Sequence, residues 1–348
     1  MKPIENERII YVDILRILSM IAVIVLHVAS TKLNEVKITE IEWQVFNFFD
    51  SICRWCVPIF VMISGMFLLD EKKEINIKRI YTKYVKKILI ILFSWNFLYA
   101  VAPYIYREHF EVKEFIYNLI LGPMHMWFLY MIIALYMITP FLRKIVQDEK
   151  LTKYFLILWF VFAIIFRTII EIFSIDLLNE VIFNKMYFYF ILGYSGYFVL
   201  GYFIKEKQFN KKINALIYIL GIIGFLITAV GTYICSMESN KTYLSLYGYL
   251  TPNVLAMSLA IFVFIKNTFS CKKLKIGNIN LINKFSKCSL GVYLVHILVI
   301  SVLTKLNIDV LKFNPFVGVI LISTIVFLLS YVISIILNKI KFVNKYFV

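Results

Sequence analysis

Apolar runs of about twenty residues recur along the whole chain, and they constrain its fold more than any other feature. An α-helix needs about 20 residues to cross the roughly 30 Å hydrocarbon core of a bilayer. Runs of this kind lie near residues 10–29, 43–69, 88–106, 124–142, 154–175, 184–204, 213–234, 247–265, 287–304 and 315–337. The sequence therefore predicts an all-α fold, a polytopic membrane helix bundle of about ten transmembrane helices, with eight or nine as open alternatives.

The composition supports the membrane class and excludes an ordinary soluble domain. Of the 348 residues, 61% are hydrophobic and 17% are charged, and the mean hydropathy is +0.82. Average soluble domains carry about 25% charged residues. A net charge of +16 would suggest nucleic-acid binding in a soluble protein. Here most Lys and Arg residues lie between the apolar runs, so we expect no nucleic-acid partner.

The basic residues between the runs also predict the topology. They concentrate in alternate connections, above all in 72–87, 143–153, 205–212 and 266–287. Under the positive-inside rule these connections are cytoplasmic, which places both the N- and the C-terminus in the cytoplasm. No connection is long enough to hold a soluble domain, so we expect residues 1–348 to form a single transmembrane domain.

Two segments depart from a simple row of spans. The run 43–69 is long enough to tilt or break, and the stretch EVKEFIYNLILGP (111–123) is typical of an interfacial helix. Cys53 and Cys56 form a CxxC motif inside the first of these segments. We interpret the motif as apolar packing because no strand-to-helix redox context surrounds it.

The histidines are too scattered to predict a metal site. The chain contains four of them, His27, His109, His125 and His296. None of them belongs to a sequence pattern with the ligand spacing of zinc. We therefore expect no metal cofactor.

The first run, YVDILRILSMIAVIVLHVAS (11–30), carries Asp13, Arg16 and His27 although it is otherwise apolar. At about 100° and 1.5 Å per residue, Arg16 and His27 share one helix face and lie about 16 Å apart along the axis. A charged side chain within a bilayer costs at least about 2.5–3.5 kcal/mol, so such residues normally face a protein interior or a wet cavity. The alternative is an arginine that snorkels to the headgroups and a histidine that contacts a neighbouring helix.

Four other runs also contain ionisable residues. Arg54 lies midway along the second, Arg167 and Glu171 form an i, i+4 pair in the fifth, His125 begins the fourth, and His296 lies in the ninth. Each of them alone is compatible with a satisfied interior contact. Their joint presence favours a functional interior, because buried charges need partners and are costly to keep.

Four segments, in chain order, resemble the motifs of the acyltransferase 3 family of integral membrane acyltransferases. DILRILSMIAVIVLHVA (13–29) contains an Arg-x10-His pattern formed by Arg16 and His27. PIFVMISGMFLL (58–69) is similar to an F-x-x-SGF-L segment, and HMWFLYMIIALYMITPFLRK (125–144) to a W-F-L…Y…P segment. SLGVYLVHILV (289–299) is similar to an S-x-G-x-YL-x-H element, so the resemblance spans nearly the whole chain.

This resemblance implies an acyltransferase of a bacterial cytoplasmic membrane. Members of the family move an acyl group, usually acetyl, from cytoplasmic acyl-CoA to a hydroxyl of a cell-surface sugar, glycolipid or polysaccharide. Membrane lipid and a carbohydrate or glycolipid acceptor are the implied partners, and acetyl-CoA is the implied donor. His27 resembles the residue that acts as general base or acyl carrier, and Arg16 the basic residue on the acyl-CoA side. Direct transfer and a two-step route through an acyl-imidazole both stay open.

The chain departs from the family pattern at the donor element. Where the family has Arg-x-x-Arg after the second helix, this chain has Lys83-x-x-Lys86, preceded by Arg79. Lysine still directs a positive charge at phosphate but lacks the bidentate fork of arginine. The residues expected on the acceptor side or along the cavity are His125, Trp127, Tyr130, Arg54, Ser64, Tyr293 and His296.

Two other functions compete with acyl transfer. The same helices could carry a small polar metabolite or a lipid-linked sugar without chemistry, as a transporter or flippase, although no inverted repeat is visible. A membrane scaffold or sensor is the third alternative, but it would not need so many ionisable residues on interior helices. The sequence leaves open the acceptor, the length of the acyl chain and the oligomeric state, including a homo-oligomer.

Overall fold

The computed structural model describes residues 9–105, 111–173, 175–186, 189–270 and 276–346, and this part of the chain contains helices and no strand. Arg107, His109 and residues 271–275 of the last basic connection lie outside it. The main helices are α1 (Ile10–Ser30), α2 (Ile41–Cys53), α3 (Cys56–Leu68), α4 (Ile77–Tyr104), α5 (Val112–Leu121), α6 (Trp127–Ile145), α7 (Glu149–Phe173), α8 (Ser195–Glu206), α9 (Lys211–Ser239), α10 (Pro252–Phe269), α11 (Ile276–Lys305) and α12 (Pro315–Lys339).

Nine helical segments among the described residues are long and apolar enough to cross a membrane. The prediction of a polytopic helical bundle is therefore confirmed, and the protein is a multi-pass membrane protein. The predicted span 184–204 is not among these nine segments, because its helix is interrupted and α8 begins only at Ser195. α8 has 12 residues and a length of about 18 Å, shorter than a bilayer core. The location of both termini in the cytoplasm stays a prediction, as does the single domain.

The second predicted span breaks in the middle, as its length suggested. α2 ends at Cys53 and α3 begins at Cys56, with a turn at Arg54 and Trp55 between them. Pro58 supplies the physical reason, because it has no N–H to donate to the carbonyl four residues earlier, which is that of Arg54. The break directs Arg54 into the interior at the level of the turn. Cys53 and Cys56 are both buried free thiols, so the interpretation as apolar packing is confirmed.

α1 lies at the centre of the bundle. It packs against α2, α3, α10, α11 and α12. Its buried residues lie on several sides of the helix and include Asp13, Leu15, Met20 and Val28. A helix surrounded in this way presents its polar side chains to protein, which is the environment that the sequence predicted for them.

α3 and α8 approach each other so closely that glycine is required at two positions. A Cβ atom at Gly65 would lie 1.8 Å from the carbonyl oxygen of Phe198, and one at Gly201 would lie 2.0 Å from that of Met62. Small residues allow two membrane helices to pack backbone against backbone. The Ser64–Gly65 pair of α3 is therefore held against a fixed neighbour.

Basic side chains bind the connection that follows α3, at the end of the bundle where α3, α6 and α8 meet. Arg143 donates to the carbonyl oxygens of Leu68, Asp70 and Lys73 at 2.8–2.9 Å. Lys205 Nζ lies 3.0 Å from Asp70 Oδ2. Burial raises the pKa of the Asp70 carboxyl, but hydrogen bonds from Lys205 and from the Lys72 backbone outweigh it, so this pKa lies below its ordinary value. These contacts join the connection after α3 to α6 and α8.

α5 confirms the helix predicted within 111–123. It ends where Gly122 adopts a positive φ of 65°, and none of its residues is buried. Asn96 of α4 donates to the carbonyl oxygen of Leu119 at 3.1 Å and fixes α5 against the bundle. Its location at a membrane interface stays a prediction.

Candidate active site

Arg16 and His27 of α1 line the same internal cavity, which we call the Arg16 cavity. Its volume is about 260 Å³. Ser64 and Tyr293 belong to its wall, together with large apolar side chains such as Phe60. The shared face that the spacing of Arg16 and His27 predicted is therefore confirmed, and the face points into the protein rather than at lipid.

A buried carboxylate holds Arg16 at one end of this cavity. Asp13 is 3% exposed, and its Oδ1 lies 3.4 Å from Arg16 Nη1 and accepts a 2.5 Å hydrogen bond from Ser286 Oγ of α11. The Arg16 guanidinium also lies 5.4 Å from the centre of the Phe67 ring. The Arg16 side chain remains 34% exposed. Asp13 and Phe67 therefore orient the Arg16 guanidinium, and the side chain stays accessible to an anion.

A second and larger cavity lies on the other side of His27, and we call it the Arg54 cavity. Its volume is about 650 Å³. Two ion pairs belong to its wall. In one, Arg54 Nη2 lies 2.5 Å from Asp50 Oδ1, and in the other, Arg167 Nε lies 3.4 Å from Glu171 Oε1. The Arg167–Glu171 pair predicted from its i, i+4 spacing is confirmed, and it is about 40% exposed.

The Asp50–Arg54 pair is buried among aromatic rings. Asp50 is 1% exposed and the Arg54 side chain 14%. The Arg54 guanidinium lies 4.0 Å from the centre of the Tyr247 ring and 5.9 Å from that of Tyr249, distances at which a cation is attracted to a ring face. Asn47 accepts a 2.5 Å hydrogen bond from the Tyr247 hydroxyl and fixes that ring.

The two cavities meet at His27. Five residues, Leu26, His27, His125, Trp127 and Tyr249, belong to the walls of both. The rings of Trp127 and Tyr249 stack at 5.9 Å with an angle of 24° between their planes. A continuous series of cavity walls therefore leads from Arg16 past His27 to the Asp50–Arg54 pair.

Three imidazoles form a cluster at this junction. The ring centre of His296 lies 5.2 Å from that of His27 and 5.3 Å from that of His125. His125 is itself held by its neighbours, because the Tyr293 hydroxyl donates to its carbonyl oxygen at 2.5 Å and its ring contacts Tyr99 at 5.4 Å. In the described part of the chain, no group of three or more His, Cys, Asp or Glu residues has an arrangement that could hold a metal ion.

The remaining predicted site residues lie in different places. Tyr130 points away from both cavities, because its hydroxyl donates to the carbonyl of Ile120 in α5 and accepts from Asn96. Arg79, Lys83 and Lys86 are exposed at the beginning of α4 and line neither cavity. The ring of the nearby Tyr84 contacts that of Tyr136, which belongs to the wall of the Arg16 cavity.

Sequence reasoning missed several residues of the site. Asp50 precedes Arg54 by four positions, so the i, i+4 rule that identified Arg167 and Glu171 would have found it as well. Tyr247 and Tyr249 offered no comparable signal, because their contact with Arg54 joins residues nearly two hundred positions apart.

Comparison with known protein families gives a match over nearly the whole chain. The model of a protein family described as "Acyltransferase domain" matches residues 9–338. The searches of curated proteins and of solved structures found no match.

Proposed function

The chain belongs to the acyltransferase 3 family and is a membrane acyltransferase, and from that premise we propose which group it transfers and between which partners. The donor is acyl-CoA, specifically acetyl-CoA, bound from the cytoplasm of a bacterial cell. The acceptor is a hydroxyl group of a sugar, glycolipid or polysaccharide on the outer side of the cytoplasmic membrane. The observation that carries this proposal is the meeting of two chemically different cavities at His27.

The Arg16 cavity suits the donor. It is the smaller of the two cavities and mainly apolar, so it fits the long pantetheine arm and the acetyl group better than the charged part of CoA. The phosphates of CoA stay outside, where Arg16 is partly exposed and where Arg79, Lys83 and Lys86 extend from the beginning of α4. Arginine can bind phosphate with two parallel hydrogen bonds, and lysine adds a point charge.

The Arg54 cavity suits a polar acceptor. Its wall combines the aromatic rings of Trp127 and Tyr249 with two ion pairs. Flat rings can cover the apolar face of a pyranose, while paired charges offer donors and acceptors to its hydroxyls without favouring a net charge. A neutral carbohydrate therefore matches this wall better than a strongly charged substrate does.

His27 joins the two substrates chemically. Its imidazole takes the proton from the acceptor hydroxyl while that oxygen forms a bond to the thioester carbonyl carbon. The C–S bond then breaks, and the leaving thiolate of CoA takes up a proton. A positioned base of this kind contributes about 10²–10⁴-fold to the rate. In the two-step variant, the acyl group rests first on an imidazole nitrogen of His27 and then passes to the acceptor.

Reconstituted vesicles test the proposal. The purified protein is placed in liposomes loaded with a bacterial cell-envelope glycan extract, and acetyl-CoA with a labelled acetyl group is added outside. We expect CoA thiol release together with label on the enclosed glycan. His27→Ala should lower both by at least about 10²-fold, because the reaction loses its base.

A matched control lies on the same helix. Ile21 faces outward on α1, and Ile21→Ala should retain wild-type turnover. Unimpaired turnover by folded His27→Ala would contradict the role of His27. Movement of the glycan across the membrane without loss of thioester would instead favour a transporter or flippase and overturn the proposed reaction.

A further inference from the structure

Among the described residues, the imidazole of His27 has no orienting partner of the usual kind. A histidine that acts as a base needs a fixed acceptor for its second nitrogen, because that bond selects the tautomer and aims the ring. Within the described residues, no hydrogen bond and no ion pair engages the His27 ring, and the carboxylate of Asp50 is occupied by Arg54. The acceptor has to be sought among the groups that touch the ring.

His296 is held in one tautomer by its own helix. Its Nδ1 lies 2.6 Å from the carbonyl oxygen of Tyr293, one turn earlier in α11. A carbonyl oxygen can only accept, so this Nδ1 carries the proton. Neutral imidazole has a single N–H, and the lone pair of His296 is therefore on Nε2.

In the part of the chain that the structure describes, the Nε2 atom of His296 is a buried acceptor that lacks a donor. His296 is 0% exposed, and Nε2 has no hydrogen-bond partner in the described part of the molecule. Leaving such an atom unsatisfied is unfavourable, so its surroundings should supply an N–H or an O–H. His296 lines neither cavity. A neighbouring side chain is consequently a better donor for it than a substrate in either cavity.

His27 is at the right distance to be that donor. Two imidazoles joined by a linear N–H···N bond of about 2.9 Å have ring centres about 5.2 Å apart. The ring centres of His27 and His296 are 5.2 Å apart with a tilt of 43°, which matches the separation of such a pair. His125 lies at a similar distance and its ring nitrogens also lack a partner in the described residues, but its ring already contacts those of Tyr99 and Tyr293 at 5.4 and 5.5 Å.

We propose that His296 is the positioning residue of the reaction, and that its Nε2 accepts a hydrogen bond from one ring nitrogen of His27. The second ring nitrogen of His27 is then unprotonated and directed at the junction of the two cavities. When His27 takes the proton from the acceptor hydroxyl, the bond to His296 becomes charge-assisted and stabilises the imidazolium. His296 thus takes the place that a carboxylate occupies in other acyl-transfer sites, and the inference rests on the proposed function of His27.

Two substitutions of His296 separate positioning from simple packing. Glutamine can place its Oε1 near the position of Nε2 and keep an acceptor there, whereas leucine fills the space without one. We expect His296→Leu to lower kcat for acetyl transfer in the glycan-loaded vesicles by about 10²-fold with an unchanged KM for acetyl-CoA. His296→Gln should stay within a few-fold of the wild type.

The tautomer of His27 gives a readout that does not depend on turnover. NMR spectra of the ¹⁵N-histidine-labelled protein in detergent micelles distinguish protonated from unprotonated ring nitrogens, and His→Gln variants assign the signals. We expect one defined His27 tautomer in the wild type and in His296→Gln, and a mixture in His296→Leu.

Three results would overturn the proposal. The first is a ¹⁵N signal of His27 that does not change when the His296 acceptor is removed. The second is a His296→Gln variant that is as inactive as a folded His296→Leu variant. The third is a His27 tautomer that depends on His125 and not on His296. Absence of turnover in the wild type would instead remove the proposed function, while the tautomer measurement would still decide whether His27 donates to His296.

Discussion

The Arg16 cavity and the Arg54 cavity share five wall residues yet differ in size and in charge. The first has a volume of about 260 Å³ and is lined mainly by apolar side chains, with one arginine that is one-third exposed at its end. The second has a volume of about 650 Å³ and contains two ion pairs, one of them buried. One helix, α1, supplies His27 to both.

The two cavities also differ in where each of them holds its charge. Charge inside a membrane protein is expensive, so it is retained where partners exist to satisfy it. In the Arg16 cavity the charge is kept at the end, where Asp13 and Ser286 hold it. In the Arg54 cavity the charge is inside, where the turn at Arg54 and the rings of Tyr247 and Tyr249 enclose it.

Replacement of either arginine by methionine tests whether the two charges are really buried to different degrees. Arg54→Met leaves Asp50 alone in the interior and should lower the free energy of unfolding by about 3–5 kcal/mol. Arg16→Met should cost less, about 1–3 kcal/mol, because the buried Asp13 carboxylate keeps its hydrogen bond from Ser286. Thermal unfolding in detergent measures both.

A double substitution provides the control for Arg54. Asp50→Leu combined with Arg54→Met removes both charges and should recover a large part of the lost stability. Equal costs for the two single arginine variants would mean that the two cavities do not differ in the way their charges are held.

Filling the Arg16 cavity tests whether it alone receives the donor. Ser64 lines this cavity and not the other, and its hydroxyl donates to the Phe60 carbonyl one turn earlier. Ser64→Phe should weaken acetyl-CoA binding by about 10-fold or more, because the ring occupies the space of the acyl arm. The shift of the unfolding temperature on titration with acetyl-CoA reports this binding.

Ser64→Ala is the matched variant, since it removes the hydroxyl without filling the cavity. We expect it to bind acetyl-CoA as the wild type does. If Ser64→Phe also bound acetyl-CoA as the wild type does, the donor would have to bind elsewhere. The assignment of the donor to the Arg16 cavity would then be wrong.

The Asp70–Lys205 pair tests whether a contact outside both cavities affects either of them. Asp70→Asn should lower the free energy of unfolding by about 1 kcal/mol at neutral pH and leave acetyl-CoA binding unchanged. The pKa of Asp70 in the folded protein is below its unfolded value of about 3.9. The stabilisation is therefore complete above about pH 4 and disappears as the pH falls through the lowered pKa.

Unfolding temperatures at pH 7 and near pH 3 measure this dependence. The wild type should approach Asp70→Asn at the lower pH, whereas Lys153→Ala, in an exposed pair with Glu149, should differ little from the wild type at pH 7. A difference between the wild type and Asp70→Asn that does not change with pH would remove the ion pair as its cause.

The sequence predicted the bundle and the central pair of the site because both depend on local patterns. Hydrophobic length identifies spans one at a time, and the Arg16–His27 spacing identifies a helix face without knowledge of the neighbours. The break at Arg54 was suggested by the length of the run 43–69, and Pro58 explains its position.

The other parts of the site depend on which helices become neighbours. Nothing local indicates that Tyr249 stacks on Trp127, or that His296 approaches His27 from α11. The prediction of Tyr130 as a cavity residue followed from its place in a motif. In the structure its hydroxyl binds the α5 backbone instead, since α6 turns that face towards α5. The interrupted span before α8 was also missed, because mean apolarity does not reveal a break.

The side chains that the two cavities share have a second consequence. A protein that connects the two sides of a membrane threatens the ion gradients on which the cell depends. Leu26, Trp127 and Tyr249 lie beside His27 and His125 where the two cavities meet, and they offer few polar atoms to a hydrated ion. These apolar side chains should therefore oppose the passage of ions, and we expect a small side chain in place of Trp127 to raise the ion leak of liposomes that contain the protein.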